Sequence, residues 1–190
     1  MKKLLISFIL LGVALGAYCQ ETEVGHKNIK FLMEAGVEYG GDELLDIFFT
    51  NGESQTIKAG QGGYLAVGGE FHFNKVENLF FRTTVGIKYT FTAADDANIG
   101  FSRIPITALA YWSIKDDFRV GAGVTSHQNV KLNGDGFFPD ESFSSSIGPR
   151  VELGYKWIGL SYTAISYAAE NEMNFSANSI GLSLSFTLPK

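Results

Sequence analysis

The strongest constraint in this sequence is a two-residue alternation that recurs eight times along the chain. In each run an apolar residue alternates with a glycine, a hydroxyl residue or a charged residue, which is the period of a β-strand with two different faces. The fourth run is the least regular, because Leu109 falls on its polar side. We therefore predict eight strands, at residues 28–40, 62–73, 79–91, 101–112, 118–128, 145–155, 158–167 and 180–186.

The connections between these runs alternate between short and long. The short turns cover residues 74–78, 113–117 and 156–157. The long loops cover residues 41–59, 92–100, 129–144 and 168–174. An up-and-down antiparallel meander has this rhythm when the connections at one end are trimmed. The first and third loops exceed the usual length in a compact domain, which indicates function or mobility there.

The N-terminus has the pattern of an export signal. Lys2-Lys3 precedes an apolar run at 4–13, and small residues lead to a cut before Gln20. This run is too short for a membrane-spanning helix. Lipidation of Cys19 is an alternative that the residues preceding it disfavour. The predicted division is a signal peptide at 1–19 and one β-barrel domain at 20–190.

Composition excludes several classes of protein. With 18% charged and 14% aromatic residues, the chain does not have the composition of a disordered protein. A formal net charge of -5 leaves no electrostatic footprint for nucleic acid. After the leader no apolar stretch approaches the length of a spanning helix.

The polar faces of the strands consist of small residues with a few charges of both signs. A water-washed surface carries many long Lys and Glu side chains, so this face suits the narrow interior of a barrel. Buried charges must be paired, and we expect Glu34, Glu70 and Glu152 to pair with Arg82, Arg103 and Arg150. An ion-conducting lumen is the alternative. The full predicted interior network is Glu34, Glu38, Glu70, Arg82, Lys88, Arg103, Arg119, Arg150 and Glu152.

The apolar faces carry aromatic residues toward the strand ends. Such rings at two water boundaries, with aliphatic residues between them, form the girdles of a transmembrane barrel. The runs also reach the roughly 9–11 residues that a tilted strand needs to cross a bilayer. We therefore predict an all-β, eight-stranded antiparallel up-and-down transmembrane β-barrel; a secreted β-sandwich or lipocalin-like barrel is the alternative. The predicted interface aromatics are Tyr39, Tyr89, Phe91, Trp112, Phe118, Tyr155 and Phe186.

The export signal, the eight alternating strands and the short-turn, long-loop rhythm resemble the small outer-membrane β-barrels of Gram-negative bacteria, like the barrel of outer-membrane protein A. Arg103-Ile104-Pro105-Ile106 followed by Tyr111-Trp112 looks like a mid-barrel strand of that group. The family usually ends on an aromatic residue, whereas here four residues follow Phe186. The resemblance implies an outer-membrane location and supports an architecture more than an activity.

Candidate catalytic and metal-binding residues are few. His26, His72 and His127 have no second ligand at metal spacing, so we expect no metal and no cofactor. Ser126-His127 is similar to the Ser/His pair of lipid-trimming esterases, but adjacent strand residues point to opposite faces. A G-x-S-x-G elbow is missing from the sequence. We therefore predict that the chain is not an enzyme.

The long loops carry clustered carboxylates and exposed apolar residues. Around Asn133-Gly134-Asp135 the carboxylates could hold a divalent cation such as calcium, or they form a solvated surface. Phe48-Phe49 and Phe137-Phe138-Pro139 form either a partner-binding patch or strand extensions. The acids in question are Asp42, Glu43, Asp46, Glu53, Asp95, Asp96, Asp135, Asp140, Glu141, Glu170 and Glu172.

The expected function is that of a non-enzymatic, monomeric outer-membrane protein with a structural or surface-interaction role. Its acidic extracellular loops are expected to contact lipopolysaccharide, a surface macromolecule or a divalent cation, and no nucleic acid. The alternatives are a small pore for ions or small solutes, a lipid-modifying enzyme and a secreted lipocalin-like carrier.

Overall fold

The alternating runs form antiparallel strands in the computed structural model of the chain. The structure describes residues 28–48, 54–73, 76–91, 99–115, 117–170 and 173–189. The predicted signal peptide lies outside these residues. So do His26, Phe49 and the four loop acids Glu53, Asp95, Asp96 and Glu172.

Thirteen strands make up the described fold, and eight of them form the barrel wall. The wall strands are β1 (Ile29–Tyr39), β4 (Gly62–Phe73), β5 (Val76–Phe91), β6 (Gly100–Lys115), β7 (Phe118–Asn133), β9 (Gly148–Tyr155), β10 (Ile158–Thr163) and β13 (Ser179–Leu188). The strands of the long connections are β2 (Glu43–Phe48), β3 (Ser54–Lys58), β8 (Glu141–Ser145), β11 (Ser166–Ala169) and β12 (Asn174–Ser176).

The eight wall strands close into a ring. Each pairs antiparallel with its neighbours in the order β4, β5, β6, β7, β9, β10, β13, β1, and β1 returns to β4. The last strand therefore joins the first, with Val37 opposite Leu182 on β13 and Gly63 on β4. The predicted eight-stranded antiparallel barrel is confirmed.

The two faces of the wall point as the alternation predicts. Apolar side chains such as Leu65, Ile87 and Leu153 point outward and are more than 60% exposed. Charged side chains on the same strands point inward, and Lys88 and Glu152 are at most 2% exposed. We call the outward-facing apolar surface the belt and the enclosed space the lumen. Leu109, the apolar residue on the polar side of the fourth run, lies in the lumen and is buried there.

The polarity of the two faces reverses at the end of the barrel that carries the long connections, the loop end. There Val130 and Leu132 of β7 point inward and are buried, while Lys131 and Asn133 are exposed. A β-bulge makes the switch: the register between β6 and β7 slips, and Asn129 adopts a left-handed φ of 50°. Asn tolerates this conformation better than most residues.

The first long connection contains a β-hairpin that the sequence does not predict. Residues 41–59 were expected to form a loop, but β2 and β3 pair from Glu43 to Lys58 in a separate two-stranded sheet. Strands β8, β11 and β12 likewise extend the wall beyond the belt. In the described part of the chain, no helix has the length and apolar character needed to cross a membrane.

Candidate functional site

The lumen at the short-turn end is filled by a charged group that we call the turn-end cluster, made of Glu70, Arg82, Arg119 and Glu152. Arg82 Nε donates to Glu70 Oε2 over 2.8 Å, and Arg82 Nη2 lies 2.7 Å from the same oxygen. Arg119 Nη2 lies 3.5 Å from Glu152 Oε1. Both arginines also donate to the Ser185 hydroxyl, which joins the two ion pairs into one network.

Aromatic rings, a histidine and a lysine surround this cluster. The Arg82 guanidinium lies 5.4 Å from the centroid of the Phe80 ring and 5.1 Å from that of Tyr111, and these rings stack on each other. His72 Nε2 lies 2.7 Å from Glu70 Oε1. Lys30 Nζ, nearer the mouth of the barrel, lies 3.9 Å from the same oxygen. Side-chain ions and rings therefore occupy this half of the lumen.

A second charged group, the loop-end cluster, consists of Glu38, Lys88, Arg103 and Arg150. Glu38 accepts hydrogen bonds from Lys88 Nζ and from Arg150 Nη1, so one carboxylate serves two cations. All four residues are buried, with at most 6% of their surface exposed. Between the two clusters, the Tyr64 hydroxyl donates to Glu34 Oε1 over 2.7 Å.

Two cations of the loop-end cluster hold the turn between β3 and β4. Arg103 Nη1 donates to the Ala59 carbonyl over 2.7 Å, and Arg103 Nη2 donates to the Gln61 carbonyl over 2.5 Å. Lys88 Nζ donates to the Gly60 carbonyl over 2.6 Å. Three successive carbonyl oxygens, which the turn leaves without strand partners, are thus satisfied from inside the barrel.

Above this turn the lumen is closed by buried apolar side chains that we call the plug. The β2–β3 hairpin contributes Ile57, which is fully buried, and the extended wall contributes Phe101, Phe143 and Tyr167. Three of the ring pairs in the plug pack edge to face, with centroids about 6 Å apart. Its buried members are Ile57, Ala59, Ile99, Phe101, Val130, Leu132, Phe143, Ile165, Tyr167 and Ala177.

The structure places all nine predicted network residues in the lumen, but the pairing differs from the expected one. Glu70 and Arg82 do pair. The expectation that Arg103 pairs with Glu34, Glu70 or Glu152 is wrong, because its guanidinium donates to backbone carbonyls and to the Thr90 hydroxyl instead. Glu152 pairs with Arg119, and Arg150 pairs with Glu38. Tyr64, Ser185 and the carbonyls of residues 59–61 belong to the network and were missed.

The seven predicted interface aromatics all point outward and are exposed. They lie at two levels. Tyr39, Tyr89 and Phe91 lie at the loop end, and the other four lie near the short turns, where the Phe118 and Tyr155 rings are 4.6 Å apart. Trp157, which was not predicted, stacks on Phe186 at the second level.

The remaining candidates take part in local contacts. Ser126 and His127 point to opposite faces of β7, and His127 Nδ1 lies 2.5 Å from the Tyr167 hydroxyl in the lumen. Among the loop acids, Asp42 accepts from the Ser176 amide and Asp140 from the Gly134 amide. The described residues contain no group of three His, Cys, Asp or Glu side chains placed to hold a metal ion.

The fold and the lumen together define a closed eight-stranded barrel with a charged, filled interior and an apolar outer surface. Among solved structures, the chain is similar to Neisserial surface protein A, with a TM-score of 0.43 and 11% sequence identity. That match covers 86% of this chain and 100% of the other. No protein-family model matches the sequence, and no curated protein matches it.

Proposed function

We propose that this chain is an integral outer-membrane β-barrel protein with a structural or surface-interaction role. The observation that carries the proposal is the apolar belt around a wall whose enclosed face is charged. Only helices and closed barrels can cross a bilayer, because lipid cannot satisfy the backbone groups of an open sheet edge. A closed wall with its apolar residues outside meets that requirement.

The same observation disfavours a soluble carrier. A soluble barrel turns its apolar face inward and its polar face toward water. Here Val37, Leu65 and Ile87 on neighbouring strands are each more than 60% exposed. A soluble monomer rarely exposes more than a few hundred Å² of contiguous apolar surface, whereas the belt continues around the whole barrel.

The lumen disfavours the small-pore alternative. An eight-stranded barrel has room inside only for its own side chains. The turn-end cluster, the loop-end cluster and the plug follow one another along the axis and occupy that room. A conducting path would require these side chains to leave their ion pairs and apolar contacts.

The strands that extend beyond the belt supply the surface for interaction. Their outward side chains are polar, including Lys131, Ser142 and Ser144. Phe48 and Phe137 are exposed by 82% and 67%, and carboxylates of the long connections surround them in the sequence. We propose that this end faces the exterior and contacts lipopolysaccharide head groups or surface macromolecules.

Fractionation of a Gram-negative host that expresses the whole chain tests the proposal. We expect the protein in the outer-membrane fraction and a gel mobility that changes on boiling, as closed barrels resist detergent until heated. A variant without residues 1–19 is the control and is expected to stay in the cytoplasm. Recovery of the whole chain from the soluble periplasmic fraction would contradict the proposal.

A further inference from the structure

At its loop-end level the belt is indented by an apolar furrow. The furrow has a volume of about 500 Å³ and lies over β1, β4, β5 and β13. Its walls include Val37, Tyr39, Tyr89, Phe91 and Ile180. Pockets that bind small molecules have volumes of about 300–1,000 Å³.

The furrow lies over Gly63, a position where neither close packing nor the backbone conformation requires a glycine. Gly63 points outward between Val37 on β1 and Tyr89 on β5. A Cβ built on Gly63 would meet nothing closer than the Gly36 carbonyl oxygen at 4.0 Å, and its φ lies outside the left-handed region. Among the described strand glycines this openness is unique to Gly63, since a Cβ on any other comes within 3.0 Å of a neighbouring atom.

Gly69 also points outward on β4, but the Phe71 ring covers it, 2.9 Å from where its Cβ would lie. Gly63 has no such cover. A glycine inside a strand weakens the strand and often marks a place where a ligand approaches the backbone closely. A bulkier apolar residue would fit at position 63, so its absence leaves space for something else.

The surroundings of the furrow indicate an acyl chain with an anionic head group. The floor and walls are continuous with the belt, which the proposed function places in hydrocarbon. Beside the furrow, Lys58 Nζ lies 5.8 Å from the centroid of the lining Tyr39 ring and forms an ion pair with Glu43 Oε1 at 3.3 Å, which occupies one of its three N–H groups. An ammonium group at the rim of an apolar furrow suits a phosphorylated lipid whose chain lies below.

We propose that this furrow holds one acyl chain of lipopolysaccharide in the outer leaflet, with Lys58 facing a phosphate of its lipid A part. The inference rests on the proposed function, because the furrow must face lipid. Gly63 is then a specificity-determining residue: it lets the chain lie against the backbone of β4, where any larger side chain would exclude it.

Native mass spectrometry of the whole protein in detergent, titrated with purified lipid A, tests this proposal. We expect one lipid A to bind, and Gly63→Ile to weaken its binding by about tenfold, since the added side chain removes the dispersion contacts of the chain. Ala122→Ile is the matched control, an exposed outward position on β7 away from the furrow. It is expected to bind as the wild type does.

The outcomes separate the furrow from the proposed function. Both variants are first shown to keep the heat-dependent gel mobility of a folded barrel. Equal lipid A binding by wild type and Gly63→Ile, or a preference for phosphatidylethanolamine over lipid A, would overturn the furrow while leaving the outer-membrane assignment in place. Recovery of the wild type outside the membrane fraction would instead overturn the proposed function itself.

Discussion

At the scale of single residues, the lumen depends on charges that are largely shielded from water. Glu70 and Arg82 are both buried; Arg82 binds Glu70 Oε2, while His72 and Lys30 approach Glu70 Oε1. Removing one partner of a buried ion pair is costly because the remaining charge stays buried without compensation. Replacing both partners by apolar residues avoids that cost.

Arg82→Ala is therefore expected to lower the free energy of unfolding, by less than the roughly 3–5 kcal/mol of a buried pair with no other partner, because His72 and Lys30 still approach Glu70 Oε1. Thermal unfolding in detergent micelles, followed by gel mobility, measures the change. The double variant Glu70→Leu with Arg82→Met is the control and should recover most of the loss. If Arg82→Ala unfolded at the wild-type temperature, the cluster would not support the barrel.

Individual contacts in the lumen were predictable only in part. The alternation identified which charges point inward, because facing follows directly from strand period. It could not identify the partners of Arg103, because every residue carries a carbonyl and the turn at 59–61 has no distinctive signature. Glu34 is similar, since its partner is the hydroxyl of Tyr64 rather than a cation.

At the scale of elements, the β2–β3 hairpin closes the loop end of the barrel. Ile57 on β3 is fully buried in the plug, whereas Phe48 on β2 is 82% exposed. Below the hairpin, Lys88 and Arg103 bind the carbonyls of the turn that follows β3. The hairpin is therefore held by apolar contacts from above the turn and by hydrogen bonds from below it.

We expect Ile57→Asp to release the hairpin without opening the wall, since a carboxylate cannot be buried among apolar side chains without a partner. Hydrogen exchange at residues 54–61 should then increase by at least an order of magnitude, while the barrel keeps its heat-dependent mobility. Phe48→Asp, a change of the same chemistry at an exposed site, should leave this exchange unchanged. If the amides of residues 54–61 stayed protected from exchange in Ile57→Asp, contacts in the plug would not be what holds the hairpin.

The β2–β3 hairpin and the bulge in β7 are the two elements that the hydrophobic pattern of the sequence does not predict. Residues 54–58 are mostly polar, so β3 has little of the apolar periodicity that reveals a strand. In β7 the alternation was followed only to residue 128, but the strand continues to Asn133 after the bulge at Asn129 inverts its faces. A period-two pattern cannot be followed through a one-residue insertion.

At the scale of the whole molecule, the orientation of the two faces decides what surrounds the protein. The sequence indicates this orientation through the polar face of the strands, because its glycines, hydroxyl residues and balanced charges fit an enclosed space. The barrel and its facing were thus predictable from the sequence. The furrow and the plug were not, because both depend on which residues the register places side by side.

Val85→Arg tests this orientation directly. Val85 lies midway along β5 and points outward, so in lipid vesicles an arginine there should lower the free energy of unfolding by about 2–4 kcal/mol. Ser142→Arg, on the outward face of β8 beyond the belt, serves as the control and should change it little. A harmless Val85→Arg would mean that water, and not hydrocarbon, covers the belt.

Planar-bilayer recordings of the purified protein test whether the lumen is sealed. We expect no stable channel from the wild type, because two charged clusters and the plug fill the axis. Ile57→Asp should also fail to conduct, since both clusters remain in place when the hairpin leaves. Reproducible unitary currents from the wild type would favour the pore alternative.

The inversion of faces within β7 makes this strand sensitive to changes in its length. From Phe118 to Val124 the outward side chains of this strand are all apolar, whereas from Ser126 onward the outward side chains, including Gln128 and Lys131, are polar. If the bulge were lost with the chain length unchanged, the alternation would turn Val130 and Leu132 outward and bring Lys131 and Asn133 into the plug. Inserting or deleting one residue beyond Asn129 would change the facing in the same way, whereas a single substitution there would leave it unchanged.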